Sequence, residues 1–186
     1  MSKILDKFLT VPNILTISRM FLLPFFAFGF FMQSKTGLIS SLSIFVFCCI
    51  SDFLDGYYAR AYKQTSKLGQ MLDPLADKIV VSIALLFIVG FHIVSRYAII
   101  PASVILCREI IISGIRDATE FSGQNFKTLF WAKFKTATQM LSIVTAIFAS
   151  IQQSRNIALL GEALLWISSV IALVSGCIYY KRHVLD

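Results

Sequence analysis

Histidine and cysteine are scarce in this chain. Its 186 residues include two histidines, His92 and His183, and four cysteines, Cys48, Cys49, Cys107 and Cys177. The cysteines lie in apolar runs without metal-ligand spacing, so their expected role is that of small core residues. His92 falls at an outer turn and His183 in the tail, positions that suit interfacial side chains better than catalytic ones. Charge is also thin, at 15% of residues. No basic or aromatic module stands outside the hydrophobic segments, which argues against nucleic acid as a partner. There is no internal repeat and no low-complexity tract.

Hydrocarbon is what the chain has in excess. Hydrophobic residues make up 57% of it, 17 of them Phe, and the mean hydropathy is +0.77. Soluble domains average about 45–50% apolar residues. The composition therefore predicts one integral membrane domain over residues 1–186, all-α. A formal net charge of +7 suits an anionic lipid surface or anionic substrates. No cleavable signal peptide is expected, because the first long apolar run is long enough to span and continues into a polytopic pattern.

A helix needs about 20 residues to cross the hydrocarbon layer. Six segments meet that need or approach it. Ile14–Met32 is the first span, with Pro24 as a possible kink and Arg19 near its beginning. After a short turn at Gln33–Gly37, a second helix is apolar only to Ile50, yet no turn signal follows before Gly56. One helix is therefore expected to continue through Asp52, Asp55 and Arg60. Lys63–Gly69 reads as a polar connection. The third span covers Asp73–Val89, with Pro74 suited to a first turn. Tyr97–Ile115 is the fourth, and Ser113–Thr128 a polar loop or interfacial helix. Phe130–Ile151 and Ile157–Tyr180 complete the set. Trp131, Tyr179 and Tyr180 suit interfacial anchors, and the Phe-rich first helix faces lipid or packs in the core. Of the 17 Lys and Arg, only Lys35, Arg96 and Arg155 lie in loops opposite the termini. That leaves fourteen on the terminal side or in the helix halves facing it, so both termini are expected in the cytoplasm.

The acidic residues are concentrated. Four of the ten fall in one stretch, at Asp52, Asp55, Asp73 and Asp77, between apolar runs ending at Ile50 and starting at Ile79. Charge beside hydrocarbon is costly unless paired, neutralised or hydrated. Asp52, Asp55 and Ala59 share one helical face, and Asp73 and Asp77 share another. Two helices meeting at those faces would gather four carboxylates, a site for hard cations such as Mg2+ or Mn2+. Asp52 lies fifteen residues beyond Gly37, about 22 Å of helix, which puts the cluster at the cytoplasmic boundary. A lipid substrate could keep its tails in the bilayer and offer its head to the metal, while a soluble one entered from the cytosol. Two divalent ions would match four carboxylates, clamp a diphosphate and stabilise a leaving phosphate. One carboxylate could take a proton from an incoming hydroxyl.

A second cluster is basic: Arg108, Arg116, Lys133 and Lys135, all in cytoplasmic helix halves. Ordinary positive-inside charge accounts for Lys127, Lys181 and Arg182 but poorly for Arg108, which interrupts an apolar run. Pairing of Arg108 with Glu109 is not expected, because adjacent helical residues do not face each other. An anion pocket using Arg108 and Arg116 is the favoured reading.

The acidic stretch reads Asp52-x2-Asp55-Gly56-x2-Ala59-Arg60-x8-Gly69-x3-Asp73-x3-Asp77. It resembles the signature of the CDP-alcohol phosphotransferases. The resemblance implies that the nucleotide of a CDP-linked lipid sits against this motif, that an alcohol attacks phosphorus and that CMP leaves. By similarity, Asp52, Asp55 and Asp73 ligate metal, and Asp77 completes the metal site or acts as the catalytic base. Gly56, Ala59 and Gly69 allow close approach of the nucleotide, and Arg60 supports the nucleotide or the cluster. Further matches are Val11-Pro12-Asn13-Ile14-Leu15-Thr16 with Arg19, Arg108-Glu109-Ile110-Ile111-Ile112-Ser113 with Arg116, and Lys133-Phe134-Lys135-Thr136 with Gln139. These look like the branch of the family whose acceptor is glycerol 3-phosphate. Its phosphate would sit at Arg108, Arg116, Lys133 and Lys135, with CDP-diacylglycerol as the donor. The likeness covers Pro12 to Met140 and departs at Ala132, where many relatives carry Gly. The last helix matches only in hydropathy. A homodimer is implied by resemblance alone. The alternatives are another acceptor (serine, inositol phosphate or phosphatidylglycerol) and, in a different class, a divalent-cation transporter. Transport sites usually sit near the midplane between broken helices, whereas these carboxylates lie at one boundary.

Overall fold

The computed structural model describes residues 11–62, 67–120 and 130–181, with side chains described for 14–54, 75–115 and 134–181. The described residues contain no strand. The helices are α1 (Val11–Phe31), α2 (Lys35–Tyr62), α3 (Lys67–Gly90), α4 (Ile99–Glu120), α5 (Phe130–Gln152) and α6 (Arg155–Tyr180), with a 3-10 turn at Arg96–Ala98 before α4. Among the described residues, five segments are long and apolar enough to cross a membrane: Ile14–Phe31, Lys35–Leu54, Arg96–Ile115, Phe134–Gln152 and Arg155–Tyr180. The sixth expected span lies in α3, which is helical over 24 residues.

The expected continuation of the second helix is present, since α2 runs unbroken from Lys35 through Asp52 and Asp55 to Tyr62. Two boundaries differ from expectation. Helix α3 begins at Lys67, so Pro74 falls in its third turn rather than its first. Leu68, Met71, Leu72 and Leu75 recur at the spacing of one helical face across that segment, which favours helix despite Gly69. Helix α4 likewise persists through Ser113 and Gly114 to Glu120.

Residues Met1–Phe87 and Ile88–Asp186 form two compact units. In the first, α1 packs on α2. The inward face of α1 carries Thr16, Arg19, Leu23, Phe26 and Phe30, all buried, at the alternating spacing of three and four that defines one helical face. Phe26 and Phe30 meet at 5.1 Å between ring centroids, with their planes tilted by 54°. Phe87 closes on Phe30 at 5.3 Å, edge to face, a favoured aromatic geometry. Phe21, Phe25, Phe28 and Phe31 point outward, so the Phe-rich helix serves both core and lipid-facing surface. Ser41 donates to the Phe26 carbonyl at 2.8 Å. This bond between helices satisfies a buried hydroxyl where hydrocarbon offers no partner.

In the second unit, α6 packs against both α4 and α5. Gly161 permits close approach of α6 to α5, since a Cβ there would lie 3.0 Å from the Ala146 backbone nitrogen. Small residues at such crossings bring helix backbones together. Helices α3 and α5 end in Schellman turns. Ile93 N–H donates to the Ile88 carbonyl and His92 N–H to Val89, and Ser154 N–H donates to Ala149 and Gln153 N–H to Ser150. The left-handed residue of these two turns is His92 (φ 54°) and Gln153 (φ 52°) respectively, where glycine is usual. At the start of α4, Glu162 from α6 accepts from both the amide and the hydroxyl of Ser95. Two side-chain expectations are corrected. Cys107 and Cys177 are exposed, whereas Cys48 is buried, because the first two lie on outward helix faces. Tyr179 is buried while Tyr180 is exposed, so only one of the pair is placed as a surface anchor.

Candidate functional site

The acidic cluster belongs to the first unit. Arg19 on α1 is 1% exposed and occupies the core face in register with Leu23 and Phe26. A guanidinium there must be compensated. It is met by carboxylates from two further helices. Nη1 donates to Asp52 Oδ1 of α2 at 3.1 Å and to Asp77 Oδ1 of α3. Asp52 and Asp77 are themselves partly exposed, at 30% and 36%. The structure therefore joins α1, α2 and α3 through one buried cation, and brings together one expected metal ligand from each acidic helix.

Asp55 and Asp73 lie on α2 and α3, but their side chains fall outside the described residues. The same holds for Gly56, Ala59, Arg60 and Gly69. Helical register places Asp55 one turn after Asp52, and Asp73 one turn before Asp77. Among the described residues no three His, Cys, Asp or Glu side chains gather for a metal, and two of the four expected ligands lie beyond that set. The donor chemistry fits a hard divalent cation: carboxylate oxygens from facing helices already converge on positive charge.

Sequence reasoning quoted Arg19 in a matched segment but gave it no place in the site. The signal was present, since Arg19 stands four residues before Leu23 and seven before Phe26. A lone cation on a core stripe calls for an anionic partner.

The basic cluster belongs to the second unit. Arg108 and Glu109 sit on α4 and Lys135 on α5. Their side chains are 10%, 15% and 7% exposed. Lys135 Nζ donates to Glu109 Oε1, and Arg108 Nη1 lies 3.6 Å from Glu109 Oε2. Arg108 Nη2 also donates to Ser175 Oγ of α6 at 3.3 Å. A Cβ at Gly176 would stand 3.3 Å from Arg108 Cγ, so that glycine leaves room for the arginine stem. Arg116 and Lys133 lie on α4 and α5, with side chains outside the described residues.

The contact between Arg108 and Glu109 corrects the expectation that they would not pair. Adjacent Cβ atoms diverge on a helix, but both side chains are long enough to turn back. Two largely buried cations create the need for a shared carboxylate. Glu109 is thus a carboxylate that both cations share.

Residues 9–174 match the CDP-alcohol phosphatidyltransferase family. A protein of Sodalis glossinidius (strain morsitans) is 34% identical over 179 residues, covering 94% of this chain and 96% of its own. One from Pectobacterium atrosepticum is 33% identical, covering 93% and 95%. One from Haemophilus influenzae is 40% identical over 135 residues, covering 72% of each. All three are named CDP-diacylglycerol–glycerol-3-phosphate 3-phosphatidyltransferase. The match spans both clusters, from the helix that carries Arg19 to the helix that carries Ser168, and the chain belongs to the CDP-alcohol phosphatidyltransferase family.

Proposed function

We propose that this protein transfers a phosphatidyl group from CDP-diacylglycerol to glycerol 3-phosphate, giving phosphatidylglycerophosphate and CMP. The observation that carries this reading is the near end-to-end similarity to relatives of that name, at 33–34% identity over 93–94% of the chain. The two clusters supply chemistry in keeping with it. Asp52, Asp55, Asp73 and Asp77 would hold two divalent cations, Mg2+ or Mn2+. When bound, these polarise the diphosphate and stabilise the leaving CMP. Arg19 holds Asp52 and Asp77 in place from the core side, so that two helices present their carboxylates in a fixed relation. Gly56, Ala59, Arg60 and Gly69 are assigned to the nucleotide.

Arg108 and Lys135, with Arg116 and Lys133, are assigned to the acceptor's phosphate. A guanidinium can grip a phosphate through two parallel bonds, whereas a lysine acts more as a point charge. In the reaction the acceptor hydroxyl oxygen bonds to the lipid-proximal phosphorus, and the bond from that phosphorus to the oxygen of CMP breaks. The hydroxyl proton passes to a carboxylate, for which Asp77 is the candidate.

The protein is read as a multi-pass component of the cell membrane, with six spans and both termini cytoplasmic, active as a homodimer. Support comes from five apolar helices, the fourteen-to-three distribution of basic residues, and family likeness for the dimer. The test is CMP release by the purified protein from CDP-diacylglycerol, with glycerol 3-phosphate, serine, inositol phosphate and phosphatidylglycerol as rival acceptors.

A further inference from the structure

Lys135, Gln139, Ser142 and Ile143 lie on one face of α5 and are all buried. Three of them are polar, which is costly in a membrane helix unless each finds a partner. Lys135 has Glu109. Ser142 Oγ donates to the Gln139 backbone carbonyl at 2.9 Å. The Gln139 side chain is different. It is 2% exposed, and its Nε2 meets no acceptor among the described residues. Leu or Met would fill this position without the loss of stability that a buried, unmatched donor causes. Gln139 stands one turn from Lys135 on the same face.

From this juxtaposition we infer that Gln139 is a substrate-binding residue, whose side-chain amide donates to an oxygen of the anionic acceptor alcohol. The inference rests on the reading of Arg108 and Lys135 as the acceptor site, and adds a neutral, directional donor to it. Charge alone attracts any small anion. A fixed amide rewards only an acceptor whose oxygen reaches it, which makes Gln139 a determinant of specificity.

The test is steady-state kinetics of the full-length protein with glycerol 3-phosphate and CDP-diacylglycerol each varied at saturation of the other, alongside thermal midpoints in detergent. Gln139→Met keeps the length of the side chain and removes the amide. It is expected to raise KM for glycerol 3-phosphate about tenfold or more, to leave KM for CDP-diacylglycerol within about twofold, and not to lower the midpoint. Gln139→Glu replaces the donor with an acceptor of the same shape. It is expected to raise the same KM further. A wild-type KM for glycerol 3-phosphate in the folded variants, or a lowered midpoint for Gln139→Met, would assign Gln139 to packing and overturn this inference alone. No CMP release by the wild type with glycerol 3-phosphate would overturn the acceptor reading and this inference together.

Discussion

A guanidinium at 1% exposure has no water to solvate it, so the fate of Arg19 is tied to Asp52 and Asp77. Breaking a buried pair by removing one partner costs about 3–5 kcal/mol. Here the two carboxylates are about one-third exposed and recover some hydration, so Arg19→Met should cost about 2 kcal/mol. A fall in thermal midpoint, smaller for Arg19→Lys, would show it. An unchanged midpoint would mean that the cation does not hold α2 and α3. Arg108 is judged by kinetics instead. Arg108→Lys keeps the charge and loses the fork, and a charge-assisted bond to a buried phosphate is worth about 1.5–3 kcal/mol. KM for glycerol 3-phosphate should rise about tenfold, with little change for CDP-diacylglycerol and none in the control Arg155→Lys. If instead the donor's KM rises, the basic cluster serves the nucleotide lipid. The carboxylates and Arg108 were legible in the sequence because each interrupts hydrocarbon. The partnerships of Arg19 and Glu109 were not, since they depend on which helix faces meet, and hydropathy does not encode that.

The hairpin of α5 and α6 shows how elements are fixed. Gly161 lets two backbones touch, and Gln153 turns the chain in a left-handed conformation that costs a non-glycine residue about 1–2 kcal/mol. The two sites should therefore respond in opposite directions. Gly161→Ala places a Cβ 3.0 Å from Ala146 N, and relief requires backbone movement, so the midpoint should fall. Gln153→Gly removes the strain at the expense of about 0.5–1 kcal/mol of unfolded-state entropy, so the midpoint should hold or rise slightly. Thermal unfolding of both variants beside the wild type decides this, and a stabilising Gly161→Ala would contradict the close packing. Element positions were largely readable from apolar run length and turn residues. Helix ends were less so. The helix ends at Lys67 and Glu120 lie in stretches of mixed polarity, beyond the long apolar runs that announce the spans.

At the scale of the whole molecule, the proposed orientation rests on a count of basic residues. In a cysteine-free background, a reporter at Gln64, which lies outside the described residues, should be blocked only by reagents that enter the cytoplasm, and one at Thr36 by impermeant reagents. The reverse pattern would invert the topology. Orientation matters because, on the proposed reading, the soluble acceptor and the divalent cations would be drawn from the cytosolic side. The most direct measurement is CMP release by purified protein from CDP-diacylglycerol, with and without glycerol 3-phosphate, in Mg2+ or Mn2+ and then in EDTA. Release that requires glycerol 3-phosphate, ignores serine and inositol phosphate, and stops in EDTA is the predicted result. Release that persists in EDTA, or that follows another acceptor in preference, would contradict it.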